Sequence, residues 1–380
     1  MSNHKQKKIN LCHIASGDLW AGAEVQVCNI IQGLINTNKY SITAIIMNHG
    51  VLIEKLKKMN IDVYLVDEAK HSLVKQIFMM RKIIRKNKIQ LIHSHRYKEN
   101  IFAGIIKLIS FKNIKLIKTQ HGTFDVIKGI SSYTMRIYRA LDLICTKYLF
   151  HKIVGVSDDI SNQFREIIRK NKILTISNSI CVDSYNVLKD KRMLSSYNAE
   201  TIHMAVIGRL VKIKNIDDFI VICKLLLKKG MKVKAYVVGN GPEKDRLIRK
   251  TRELGMSDDI EFVGYTANIS EIYNNIDFLF VTSIHEGQPT VILEAMYFGK
   301  IIIAHKVGGI PEIIDHNKNG FLYNKIEQAR DLVLQISKKL NKYEYIRING
   351  RETVEEKYTN RIQSEKYSQL YKNIITNTTL

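Results

Sequence analysis

The run IDFLFVTSIHEGQPTVILEAMYFGKIIIAH, residues 276–305, sets two short apolar segments on either side of a helical one. IDFLFVTS (276–283) and KIIIAH (300–305) are compact and rich in β-branched residues, as strands buried on both faces are. Between them Pro289 suits the first turn of a helix and Gly299 its end, since proline lacks an amide that is unpaired there anyway and glycine tolerates the left-handed closing residue. Strand, helix and parallel strand make one βαβ unit.

The same alternation extends to both ends. TIHMAVIG (201–208), KVKAYVVG (232–239), IEFVG (260–264) and GFLY (320–323) complete one series of strands. KINLCHIA (8–15), SITAIIM (41–47), IDVYLV (61–66), IQLIHSH (89–95), IKLIKT (114–119), KIVGVS (152–157) and ILTIS (173–177) form another. Segments of helical period lie between them, such as AEVQVCNIIQGLI (23–35) and SLVKQIFMMRKIIRK (72–86). From Cys181 to Glu200 the period lapses into polar chain that reads as a linker. The expected fold is therefore α/β, with two Rossmann-like, doubly wound parallel-sheet domains facing across a cleft. The expected bounds are 1–185 for the first domain and 200–355 for the second. Residues 356–380, helical and Tyr-containing, are expected to pack back on the first. Ligands of such sheets lie beyond the carboxyl ends of the strands, which points to the cleft.

At 380 residues and 45% apolar composition, the chain has material for two cores. Its 5 cysteines are dispersed, without a CxxC pair, and imply a reducing compartment. No apolar run reaches membrane-spanning length, since even IFAGIIKLISF (101–111) is broken by Lys107. The net charge of +23 calls for an anionic partner. Residues 1–190 hold 30 basic and 14 acidic side chains, against 29 and 22 in 191–380, so the excess lies in the first half.

Glu286 and Glu294 flank the start of the 276–305 helix with seven residues between them, about two turns. Two glutamates alone are commonly just solvated. Here KVGGIPEII (306–314) follows the next strand, where amides of Val307, Gly308, Gly309 and Ile310 can meet a phosphate. GRLVKIKN (208–215) adds Arg209 and Lys214 just past a strand ending at Gly208. Fixed cations of this kind meet the negative charge of a departing nucleoside diphosphate. No Asp-x-Asp pair stands suitably after a strand, so neither a metal nor another cofactor is expected.

In this order the chain resembles glycosyltransferase family 4, the retaining enzymes of the GT-B fold. The resemblance rests on GRLVKIKN, VVGNGPEKDRL (237–247), FVGYT (262–266), the spaced glutamates and VGGIPEII (307–314). The first half contributes AGAEVQVCNI (21–30), IHSH (92–95), TQHGTFD (119–125), GVSDDI (155–160) and ISNSI (176–180). It implies that Glu294 binds the donor ribose, Glu286 the hydroxyls of the transferred sugar, and Arg209 with Lys214 the diphosphate. It also implies donor contacts from Gly22, Gly208, Tyr265, Gly287, Gln288, Pro289, Thr290, Gly308 and Gly309, and a place for His121 beside the reaction centre. Three departures stand out: Ala21 where a second glycine is common, Gln288 where the family is often apolar, and Ser177–Cys181 in place of Pro-Asn-Gly-Ile-Asp.

The resemblance implies transfer from a nucleotide diphosphate sugar, UDP-sugar favoured over GDP-sugar, to an acceptor hydroxyl with retained configuration. A lipid-linked glycan in bacterial surface polysaccharide assembly is the expected acceptor. The basic, apolar helices of the first half suit peripheral attachment to the cytoplasmic membrane face. Front-face attack and a covalent carboxylate intermediate both remain open. A nucleotide-sugar epimerase shares the architecture. A nucleic-acid-binding protein would explain the charge but shows no recognition motif, and no nucleic acid partner is expected. A dehydrogenase is disfavoured because no GxGxxG opens either half.

Overall fold

The computed structural model describes residues 8–18, 20–110, 113–122, 133–185 and 201–376. Residues 123–125 of the TQHGTFD motif and 186–200 of the expected linker lie outside these. The chain divides into two compact units, Met1–Ser179 with Asn360–Leu380, and Ile180–Thr359.

In the first unit a seven-stranded parallel sheet has the order β3-β2-β1-β4-β5-β6-β7. Its strands are β1 (Ile9–Ala15), β2 (Tyr40–Ile46), β3 (Asp62–Leu65), β4 (Leu91–Ser94), β5 (Lys115–Gln120), β6 (Lys152–Gly155) and β7 (Ile173–Thr175). Helices α1 (Gly22–Asn36), α2 (Val51–Lys58), α3 (Leu73–Lys86), α4 (Tyr97–Ser110), α5 (Tyr133–Tyr148) and α6 (Asp158–Arg165) connect them. Burial on both faces explains the unbroken apolar runs: Leu11, Cys12 and Ile14 of β1 are all fully buried.

The second unit repeats the plan with six parallel strands in the order β10-β9-β8-β11-β12-β13. These are β8 (Thr201–Ile207), β9 (Lys232–Val238), β10 (Ile260–Gly264), β11 (Phe278–Val281), β12 (Ile301–His305) and β13 (Phe321–Tyr323). Helices α7 (Ile216–Leu227), α8 (Lys244–Glu253), α9 (Ile269–Asn275), α10 (Thr290–Tyr297), α11 (Ile326–Ser337) and α12 (Glu344–Lys357) cover it. Every strand expected from the sequence is present, and the fold is α/β with two parallel sheets.

The last helix, α13 (Asn360–Thr376), belongs to the first unit and packs on α1. The approach is close: a Cβ at Gly33 of α1 would stand 2.6 Å from the Asn360 carbonyl and from Ser364. Tyr367 and Tyr371 of α13 are fully buried, with hydroxyls bonded to Thr119 Oγ1 (2.8 Å) and His93 Nδ1 (2.7 Å). Thr119 and His93 thus find their partners on the chain's own terminal helix.

Residues 180–185, assigned to the linker or the first domain on composition, fall in the second unit. Ile180 donates its amide to the Tyr358 carbonyl at 2.9 Å, and Tyr185 packs edge-on against Phe298. The polar residues around Tyr185 hid its anchoring role.

Candidate functional site

Each sheet reverses its winding once, between β8 and β11 in the second unit and between β1 and β4 in the first. Adjacent loops leave in opposite directions at such a point and open a crevice at the carboxyl ends. The second unit has a pocket there, lined by Gly208, Lys214, Thr282, Ser283 and Glu286, with Val291 of α10.

A network of side chains organises this pocket. Lys214 Nζ donates to Glu286 Oε1 in a close ion pair, and Ser283 Oγ donates to the same oxygen at 2.7 Å. Thr282 Oγ1 donates to the Lys214 carbonyl at 2.9 Å, fixing the start of that lysine side chain. An ammonium has three hydrogens, so Lys214 keeps two donors for another anion. Arg209 is exposed just past Gly208. Gly208 adopts φ +152 and lies under Gly239, where a Cβ would stand 1.9 Å from the Gly208 carbonyl.

Gly308 packs against the loop that carries Glu286. It adopts φ +52, and a Cβ there would lie 2.0 Å from the Glu286 carbonyl. Three of the four amides expected to face a phosphate are engaged elsewhere. Gly309 donates to the Glu286 carbonyl at 3.0 Å, Ile310 to Val307 at 3.1 Å and Val307 to His305 at 2.9 Å. Beyond Gly309 the chain makes only a three-residue 3-10 turn, Ile310–Glu312, too short to carry a helix dipole. This segment therefore shapes the Glu286 loop.

Glu294 lies inside α10, one turn beyond the pocket-lining Val291. It is buried, and both carboxylate oxygens are bonded, Oε1 from Tyr185 at 3.0 Å and Oε2 from Tyr273 at 2.6 Å. Burial raises its pKa while the two tyrosine hydrogen bonds oppose the rise. Each oxygen retains a lone pair for a further donor. Gly287, Gln288 and Pro289 are buried in the turn before α10, with Pro289 preceding the helix and Thr290 opening it. Tyr265 is 54% exposed at the end of β10 and does not line the pocket.

The two remaining candidates lie in the first unit. Gly22 opens α1, and a Cβ there would meet nothing within 4 Å, so packing does not demand glycine. Beside it Arg96 bridges Asp18 (3.1 Å) and the buried Glu24. His121 follows β5, with its Nε2 3.3 Å from His95 Nδ1. Sequence reasoning singled out neither Ser283, Tyr185 and Tyr273 nor the Asp18–Arg96–Glu24 bridge. Ser283 three positions before Glu286 was the one local signal; the others are paired only by the fold.

Comparison with known proteins matches this layout. The family model described as Glycosyltransferase Family 4 matches residues 20–184, and that described as Glycosyl transferases group 1 matches residues 194–353. The chain is 25% identical to the N-acetyl-alpha-D-glucosaminyl L-malate synthase of Bacillus anthracis, over 78% of each chain. It is 22% identical to the capsular polysaccharide biosynthesis glycosyltransferase CapM of Staphylococcus aureus, over 84% of this chain and 92% of that one. Among solved structures, Anabaena HepE in complex with UDP-glucose superposes with a TM-score of 0.81 at 17% identity, covering 96% of this chain and all (100%) of that one.

Proposed function

Because this chain belongs to glycosyltransferase family 4, with relatives that build bacterial surface polysaccharide, we propose that it transfers a sugar from a nucleotide diphosphate sugar to an acceptor hydroxyl with retention. UDP-sugar is favoured over GDP-sugar, in keeping with the UDP-glucose bound to HepE.

The observation that carries this reading is the Lys214–Glu286–Ser283 cluster in the pocket at the β8/β11 switch point. Glu286 accepts hydrogen bonds from hydroxyls of the transferred sugar, while Lys214 and Arg209 meet the diphosphate charge as the glycosidic bond breaks. These two cations do the work a divalent metal does elsewhere, so turnover is expected to survive chelation. Glu294 accepts from the donor ribose, its carboxylate held in place by Tyr185 and Tyr273. In front-face attack the leaving phosphate takes the acceptor proton. By the family resemblance Gly22, with no atom near its absent Cβ, is assigned to the diphosphate and His121 to the transferred sugar.

Two helices of the first unit expose apolar side chains among basic ones: Leu73, Val74 and Phe78 on α3, and Tyr133, Ile137, Ile144 and Tyr148 on α5. An acceptor embedded in an anionic cytoplasmic membrane face accounts for that combination, and no helix among the described residues is long and apolar enough to cross a membrane.

The test is a panel of uridine, guanosine and adenosine diphosphate sugars, assayed for binding and slow hydrolysis with Arg209→Ala and Glu294→Ala as controls. One donor that binds and turns over, with both lost in the variants, supports the reading. Acceptor-independent conversion of the sugar would make the chain an epimerase instead, and parental behaviour in both variants would remove the site.

A further inference from the structure

At the carboxyl ends of β1, β4 and β5 three histidines of the first unit are linked ring to ring. His13 Nδ1 lies 3.1 Å from His95 Nε2, and His95 Nδ1 lies 3.3 Å from His121 Nε2. Each contact needs a hydrogen on one nitrogen and a lone pair on the other, and a neutral imidazole has one of each. The three tautomers are therefore not independent. Either every hydrogen bond runs outward from His13 to His121, or every one runs inward.

The two directions differ at the ends. Running inward, the chain leaves a hydrogen on His13 Nε2, an atom with no hydrogen-bond partner among the described residues, on a side chain wholly enclosed by protein. An unsatisfied donor in such surroundings forfeits its hydrogen bond to water, a heavier loss than that of a bare imidazole lone pair. Running outward, the spare hydrogen sits on Nδ1 of His121. That atom is enclosed too and has no partner among the described residues, but the rest of the His121 ring is part-exposed at the end of the row, where a ligand oxygen can supply the acceptor that nothing can bring to His13.

We infer that His13 and His95 act as positioning residues that hold His121 in the Nδ1–H tautomer, so that it offers a hydrogen-bond donor, and not a base, at the end of the first sheet. An oxygen of the transferred sugar or of the diphosphate is the matching ligand chemistry. This rests on the placement of His121 beside the donor. Burial supports it by pushing His13 and His121 down to about 3, which keeps the rings neutral, and the Arg96 guanidinium depresses His121 further. His93 does not compete, because its two nitrogens are taken by Tyr371 and Thr119, each at 2.7 Å. Nitrogens of His13, His93 and His95 also lie within 4.8 Å of one another, a spacing that a divalent cation accepts. A cation there would consume the lone pairs that the relay uses.

Long-range 1H–15N spectra of the 15N-histidine-labelled full chain at pH 7.5 decide the matter, with His121→Gln to assign the signal. The expected result is one neutral tautomer of His121 with Nδ1 protonated. An Nε2–H tautomer, an average of the two, or a stoichiometric divalent metal in the purified protein would overturn the inference. His13→Asn keeps an amide N–H near the Nδ1 position and is expected to preserve both tautomer and kcat. His13→Leu removes the donor and is expected to mix the tautomers and lower kcat at least about tenfold with donor KM unchanged. An unchanged tautomer in His13→Leu would show that His13 does not set it. Should that variant fail to fold, the parent spectrum and His13→Asn decide alone. If the tautomer is as expected but His121→Ala turns over normally, the placement of His121 beside the donor is wrong and the relay stands.

Discussion

The carbonyl of Glu286 accepts the amide of Gly309 at 3.0 Å, so the loop carrying the pocket's carboxylate is clamped by the glycine turn after the next strand. Gly308→Ala tests the clamp. Its methyl would stand 2.0 Å from that carbonyl at φ +52, so the two loops must separate. A left-handed non-glycine residue costs about 1–3 kcal/mol. The expected result is a modest fall in melting temperature with a larger loss of donor affinity, read by calorimetry on the same samples.

Lys214→Met keeps the aliphatic stem and removes the charge that pairs with Glu286. Loss of one fixed donor to a developing oxyanion typically costs about 10²–10³ in kcat. A fall of that size is expected with the preferred donor, and Lys214→Arg should recover part of it. Full activity in Lys214→Met would remove this lysine from the transition state.

Tyr273→Phe probes how Glu294 is kept ionised. Burial raises the Glu294 pKa, and the hydrogen bonds from Tyr273 and Tyr185 pull it back, so deleting one bond raises it further. Only the carboxylate accepts two ribose hydroxyls. Donor KM is therefore expected to rise as pH falls, and the rise should begin at a higher pH in Tyr273→Phe than in the parent. Superimposable KM profiles would mean that the bond does not tune Glu294.

These cases separate what the sequence displayed from what it concealed. Thirteen strands were legible because parallel strands covered on both faces read as unbroken apolar runs, such as Ile301–Ile303. The pocket was legible where its residues sit just past strands, as Gly208, Lys214 and Glu286 do. Amide direction was not, since nothing in VGGIPEII tells that the Gly309 amide turns to the Glu286 carbonyl while those of Val307 and Ile310 bond within their own turn. Tyr185 and Tyr273 were invisible because they approach Glu294 from sequence separations of 109 and 21, on elements whose local pattern says nothing of a partner. The histidine relay needs β1, β4 and β5 side by side before His13, His95 and His121 can be seen as one row.

The same row makes stability depend on pH. Burial lowers His13 and His121 to about 3, and His93 and His95 also fall well below their ordinary 6.5. Between about 3 and 6.5 the unfolded chain therefore binds more protons at these sites. Their contribution is fully present above pH 6.5 and is lost on acidification, by about 1.4 kcal/mol per pH unit for each proton. Glu99 works the other way: burial without a partner among the described residues pushes it up to about 7, so folding binds its proton more tightly between 4.5 and 7. His151, lowered to about 4, adds to that loss, while Glu24 and Glu294, raised by burial, act with Glu99; the five histidines, whose ordinary 6.5 lies inside the window from pH 7.5 to 5.5, set the sign. The urea midpoint is expected to fall from pH 7.5 to 5.5, and to fall more steeply in Glu99→Gln, where one opposing group is gone. A flat profile in the parent would contradict the burial of the histidines.

Attachment to a membrane makes a separable prediction, because the apolar stripe of α5 lies outside the donor pocket. Tyr133, Ile137, Leu141, Ile144 and Tyr148 recur at helical spacing and are all exposed, from 41% at Leu141 to 78% at Tyr133, with Arg136, Arg139 and Lys147 on the same helix. An apolar stripe bordered by cations suits the interface of an anionic bilayer, where buried methyls and screened charge attraction add. The full chain is expected to co-sediment with phosphatidylglycerol vesicles and not with phosphatidylcholine vesicles, and to be released in part by salt. Ile144→Glu should lower that binding while leaving hydrolysis of a soluble donor unchanged, since the residue is not among those that line the pocket. Equal binding by parent and variant would assign the stripe to another partner, and loss of donor hydrolysis alongside binding would mean that α5 supports the fold of the first unit more than its surface suggests.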